Sequence, residues 1–141
     1  MASAAAEPVV AELSTQTYNA LVDPMLEELS IELEELLETH DIDALEEERG
    51  GDPSDWDVEY ATGVLTLRLG SYGTYVINKQ PPSRQIWLSS PSSSGPKRFD
   101  YDATNKVWFT NKEGELHYFH ELLTRELSEV LGEPVDLSIA S

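Results

Sequence analysis

Carboxylates recur early in the sequence at helical spacing: Asp23, Glu27, Glu34 and Glu38 follow one another at intervals of four, seven and four residues. On an α-helix that spacing gathers all four within about 60° on one face, and Glu28, Glu32 and Glu35 extend the same surface. Ligands of this kind offer oxygen only, which suits hard or borderline cations such as Ca²⁺, Mg²⁺, Mn²⁺ and Fe²⁺. With no His or Cys among them, such a site is weak, exposed and exchangeable. The same pattern also fits an acidic face kept for solubility, and the residues alone leave both open. Asp55 and Asp57 enlarge the cluster if the chain brings them beside the helix; otherwise they cap a turn.

The three histidines do not complete a di-iron centre of the helix-bundle kind. That centre needs Glu-x-x-His pairs, and the residues three before His40, His117 and His120 are Leu37, Gly114 and His117. His117 and His120, near the expected start of the last helix, read instead as partly buried, hydrogen-bonded side chains. Cysteine is absent, so disulfides, thiolate nucleophiles and cysteine-held zinc or iron–sulfur clusters are excluded from this chain. No phosphate-cradling glycine loop and no Ser, His and Asp arrangement with a local signature occurs either.

A second constellation lies between residues 78 and 98. Asn78, Gln80, Gln85, Trp87 and Arg98 are polar or amphipathic side chains in a region of period two. Alternation turns Ile86 and Leu88 inward and leaves Trp87 on the opposite face. An outward Trp beside an Arg is the pairing that anchors many protein interfaces. The alternative packs Trp87 in the core with Trp56 and Trp108.

Charge separates these two constellations. The net charge is −18, which argues against direct nucleic-acid binding and toward cations or basic proteins as partners. Residues 1–59 carry 18 acids and one base, Arg49, whereas residues 64–112 carry seven bases against Asp100 and Asp102. An acidic half and a mildly basic middle imply two different surfaces. No run of about 18 apolar residues is present for a spanning helix. The N-terminus shows neither an apolar secretory core nor an Arg-rich transit pattern, so the chain is expected to be soluble, with any organellar presequence absent from it.

The elements that must position these residues follow from hydrophobic period. Residues 1–13 lack periodicity and read as a flexible leader before one domain, 14–141. Val22, Met25, Leu26, Leu29, Leu33, Leu36 and Leu37 form one apolar stripe opposite the acids. Two starts fit this helix: Asp23 capping with Pro24 in the first turn, or an earlier start near Ser14 with a disturbance at Pro24; the second is favoured because it carries Tyr18. Residues 39–56 read as an acidic connecting loop. Short alternating segments then place strands at 58–60, 65–69, 75–77, 86–88, 97–101 and 107–109, too closely spaced for crossover helices. A last helix carries Phe119, Leu122, Leu123, Leu127, Val130 and Leu131 and stops at Gly132 and Pro134. The expected fold is α+β: a two-layer sandwich with two helices on one face of an antiparallel sheet and the other face open.

The stretch GTYVINKQPPSRQIWLSSPSSSGPKRFD, residues 73–100, resembles the central sheet of the frataxins. The similarity extends outward through GVLTLRLG at 63–70 and HELL at 120–123, and covers about residues 15–131. The resemblance implies an α-β(5–7)-α fold, iron as the bound metal (weakly held Fe²⁺, with Fe³⁺ as a further form) and the mitochondrial matrix as location. It also implies a role in iron–sulfur cluster assembly, with a cysteine desulfurase and a scaffold protein as partners and neither nucleic acid nor membrane. By position, the family's acidic ridge falls on Asp23, Glu27, Glu34, Glu35 and Glu38, with Asp55 and Asp57 on the neighbouring strand edge. Its partner-facing sheet residues fall on Asn78, Gln80, Gln85, Trp87 and Arg98. Three departures stand out: Ile31 where other members carry an acid, Pro24 within the first helix, and an extra Ser in the turn at 92–94. The absent Glu-x-x-His pairs favour a non-enzymatic activator or iron chaperone, a monomer that metal can drive into oligomers, over a ferroxidase that stores iron.

Overall fold

Ser14 sets the start of the first helix: its side-chain oxygen accepts the Thr17 N–H at 3.0 Å, satisfying one of the four amides a helix start leaves unpaired. In this computed structural model, which describes residues 7–91, 95–112 and 114–140, α1 then runs from Thr15 to Thr39 with Pro24 inside it. The earlier of the two starts is therefore the one adopted. Pro24 lacks an N–H, but Val22, Leu26, Leu29 and Leu33 on either side of it are all buried, and the apolar stripe carries the helix through.

The acidic connection after α1 is not a plain loop. Asp41 accepts the Ala44 N–H at 3.1 Å, and a short helix α2 spans Ile42–Arg49, closed by Gly50 at φ 75°. That left-handed residue is the usual glycine helix stop.

Seven strands follow: β1 Trp56–Ala61, β2 Val64–Leu69, β3 Thr74–Gln80, β4 Gln85–Ser89, β5 Lys97–Asp102, β6 Val107–Lys112 and β7 Glu115–Tyr118. They form one sheet in sequence order, each strand antiparallel to the next. The six expected strands are present. The seventh, β7, precedes the last helix, α3, at Phe119–Leu131, so His117 belongs to a strand rather than to a helix start. The longer serine turn at 92–94 lies outside the described residues.

α1 and α3 cover one face of the sheet, α1 lying closest to β1 and α3 closest to β6 and β7. Between the layers lie Leu65, Leu67, Leu69, Tyr75, Ile77, Ile86, Leu88, Phe99 and Trp108 from the sheet, meeting Leu26, Leu29, Phe119, Leu123 and Leu127 from the helices. Phe99 and Phe119 meet edge to face at 5.4 Å. The tail after α3 folds back: Val135 and Leu137 are buried, and Glu32 accepts the Ser138 N–H at 2.7 Å. Glu32 is thereby drawn out of the acidic surface and into holding the tail.

One core residue reaches through to the hairpin that carries the second constellation. The Tyr18 hydroxyl donates to the Gln85 carbonyl at 2.6 Å and accepts the Gln80 N–H at 2.9 Å. It closes the β3–β4 ladder where the intervening turn, Pro81–Ser83, ends regular pairing.

Candidate functional site

Helix α1 presents Glu27, Glu34, Glu35 and Glu38 to solvent, and its neighbour β1 presents Asp57 and Glu59, with Asp55 in the short turn just before it. The seven acids expected at the ridge thus lie on one helix face and the adjoining sheet edge. Two of them are occupied by cations. Lys79 Nζ, on β3, reaches Asp23 Oδ1 at 2.7 Å; Arg68, on β2, reaches Asp57 Oδ2 at 3.0 Å and Glu59 Oε1 at 3.4 Å. Among the described residues no three His, Cys, Asp or Glu converge closely enough to hold a metal ion. What the ridge offers is a strip of separated oxygen donors and a negative field. The phenol of Tyr60 lies within that field: burial raises its pKa first, and the charges of Asp23 and Glu27 add to this against Lys79. Ile31 is half-exposed at 51% amid these carboxylates. Glu59 was missed in reading the sequence, although alternation from Asp57 puts it on the same face of β1.

Among the described residues, no helix packs on the opposite face of the sheet. Cross-strand register places Asn78 opposite Trp87 and Trp87 opposite Arg98, while Gln80 stands opposite Gln85. All five expected residues are therefore contiguous across β3, β4 and β5. Their neighbours Ile77, Ile86, Leu88 and Phe99 are buried on the other side, so alternation turns this row away from the core. Trp87 is half-buried here, not fully exposed. The Arg98 guanidinium lies 4.5 Å from its ring centroid, and its indole N–H donates to Gln85 Oε1 at 3.0 Å. A planar cation stacked on a fixed indole is a firm, amphipathic contact surface. Trp56 and Trp108 are in the core at 8% and 6% exposure.

The histidines are distributed, not gathered. His40 lies beside Glu133 at 2.6 Å and Leu36 O at 2.8 Å. His117, on β7, sits opposite Thr110 of β6, and His120 is the second residue of α3.

Two helices on one face of an antiparallel sheet, an acidic helix along one edge and a Trp–Arg row on the open face together define an α+β sandwich of the frataxin type. Residues 11–133 match the family described as "Frataxin-like domain", and the chain belongs to that family. It is 42% identical over 125 residues to the mitochondrial frataxin homolog of Schizosaccharomyces pombe, covering 88% of this chain and 70% of that one. It is 38% identical over 84 residues to the iron–sulfur cluster assembly protein CyaY of Thioalkalivibrio sulfidiphilus, covering 60% and 75%. A crystal structure of trimeric frataxin from Saccharomyces cerevisiae, complexed with ferrous iron, matches with a TM-score of 0.56 at 34% identity, covering 90% of this chain and 94% of that one. The match spans only 43% of the Arabidopsis thaliana frataxin and 30% of the Dictyostelium discoideum frataxin.

Proposed function

We propose that this chain is an iron-binding accessory protein of iron–sulfur cluster assembly in the mitochondrial matrix, one domain over residues 14–141 behind a leader at 1–13. It activates a cysteine desulfurase–scaffold complex, docking the scaffold on the open sheet face and the desulfurase along its charged edge. The observation that carries this is the contiguous row of Asn78, Trp87 and Arg98: three strands present an Arg–Trp stack on a face that no helix among the described residues covers, and Trp and Arg anchors of this kind dominate interface energy. The CyaY relative's role in cluster assembly and the yeast relative's ferrous complex support the same reading. The test is desulfurase turnover with scaffold present, with and without this protein. A clear rise in turnover supports the proposal; an unchanged rate sinks it.

Iron is cargo in this account, held loosely at the ridge by Asp23, Glu27, Glu34, Glu35, Glu38, Asp55 and Asp57. Changing Glu27, Glu34 and Glu38 together to Gln is expected to weaken Fe²⁺ binding while the fold persists or gains a few tenths of a kcal/mol, since like charges four residues apart repel. Calorimetry checks it, and an unchanged affinity would take the site off α1. Lys79 competes for Asp23, so Lys79→Met should strengthen Fe²⁺ binding.

A ferroxidase that stores iron as an oligomer is the second reading, favoured by the trimeric ferrous relative. The separated carboxylates argue against it, because paired metals need inward, converging ligands. A verified monomer is expected to oxidise Fe²⁺ little faster than buffer; saturable, rapid oxygen uptake would reverse the ranking.

A further inference from the structure

Gln85 is held from both sides of the sheet. From the core side its carbonyl accepts the Tyr18 hydroxyl at 2.6 Å; on the open side its amide spans two neighbours, Nε2 donating to Asp100 Oδ1 at 3.1 Å and Oε1 accepting the Trp87 indole N–H at 3.0 Å. A carboxylate only accepts and an indole N–H only donates, so the two ends of this chain dictate which way the amide points. Were the amide reversed, its NH₂ would face the indole N–H and its oxygen would face the Asp100 carboxylate, and both hydrogen bonds would be lost.

We propose that Asp100 is a positioning residue of the docking face: it fixes the Gln85 amide, the amide fixes the Trp87 ring, and the ring carries the Arg98 stack. Asp100 lies on β5, two residues from Arg98, and Gln85 lies on β4, two from Trp87. The chain therefore links the same two strands that bear the stack, and Asp100 acts without needing to touch the partner. This rests on the docking reading above and adds a residue that the sequence resemblance did not supply.

The experiment compares Asp100→Ala, Asp100→Asn and Trp87→Ala in the full chain. Two readouts are taken: the Trp87 indole N–H resonance of the free protein, identified by its loss in Trp87→Ala, and affinity for the desulfurase–scaffold complex. Asp100→Ala is expected to shift or broaden that resonance and to weaken binding by about threefold to tenfold, the range that one hydrogen bond of ordinary net strength supports when it acts through the Gln85 amide. Asp100→Asn, whose side-chain oxygen still accepts from Gln85, is expected to restore most of both. An indole resonance unmoved by Asp100→Ala overturns the positioning role whatever the binding result. If the resonance moves and Trp87→Ala abolishes binding while Asp100→Ala binds normally, the inference also fails. If Trp87→Ala itself binds normally, it is the docking face that falls.

Discussion

Trp108→Ala is expected to destabilise the fold by about 3–5 kcal/mol and Trp87→Ala by only about 1–2 kcal/mol, yet it is Trp87→Ala that should abolish activation of the desulfurase–scaffold complex. The first figure follows from burial: Trp108 is 6% exposed, meets Tyr18 edge to face at 6.2 Å and leans on Tyr101 at 5.0 Å. Truncating it opens a cavity where the start of α1 crosses the sheet. Trp87 lies on the other face, half-buried, and its removal forfeits one hydrogen bond to Gln85 and the Arg98 stack. Arg98→Ala should behave like Trp87→Ala, with near-native melting and weak activation. Denaturant melts of the three variants beside a turnover assay separate the roles. A Trp87→Ala protein that melts as early as Trp108→Ala, yet activates fully once folded, would make Trp87 a structural residue and remove the interface.

Both surfaces were largely legible because each follows from a single period. The 3.6-residue repeat fixed which side of α1 is acidic, and Tyr18, Val22, Leu26, Leu29 and Leu33 are buried as the stripe requires. Period two placed Asn78, Gln80, Gln85, Trp87 and Arg98 on one side, and register then made them neighbours. The ion pairs were beyond reach of either period. Lys79 meets Asp23 across 56 residues of sequence, and Arg68 meets Asp57 only because the β1–β2 hairpin puts them in register. Both pairs temper the acidic ridge at positions that the sequence presents as free ligands.

The largest miss, α2, has a physical cause. Its eight residues read IDALEEER, too short and too polar for a visible stripe, and Ile42 and Leu45 alone do not establish a helical period. Asp41 before it and Gly50 after it were usable end signals. Ile42 and Leu45 pack partly buried against the core, but the one fully buried residue of the helix is Glu46, and no hydrophobic pattern announces a buried glutamate.

Glu46→Gln is accordingly expected to lower the melting temperature at neutral pH, and its cost should fade in acid. The Glu46 carboxylate accepts the Trp56 indole N–H and the Ser71 backbone N–H, each at 2.9 Å, and also the Ser71 hydroxyl. It thereby ties α2 to the start of β1 and to the β2–β3 turn. These bonds, those from Ser71 foremost, hold its pKa below the ordinary glutamate value; they outweigh the opposing effect of burial, and Arg49 adds to them. A carboxylate whose pKa is lower folded than unfolded stabilises fully above its unfolded value, about 4.3, and loses that contribution as pH falls through the folded value. The wild-type and Glu46→Gln melting curves should therefore lie apart at pH 7 and draw together below about pH 4. The surrounding glycines show how closely the carboxylate is enclosed. A Cβ at Gly70, which sits at φ 54°, would fall 2.5 Å from the Trp56 indole nitrogen and collide with Glu46, and one at Gly51 would lie 2.7 Å from the carboxylate oxygens. Gly70→Ala should cost about 1–2 kcal/mol from the left-handed backbone alone, with the collision adding to it. Melting temperatures of wild type and the two variants from pH 3 to pH 8 provide the check. A Glu46→Gln difference that stays constant across that range would mean that the ionised form contributes nothing, and that shape alone holds α2 in place.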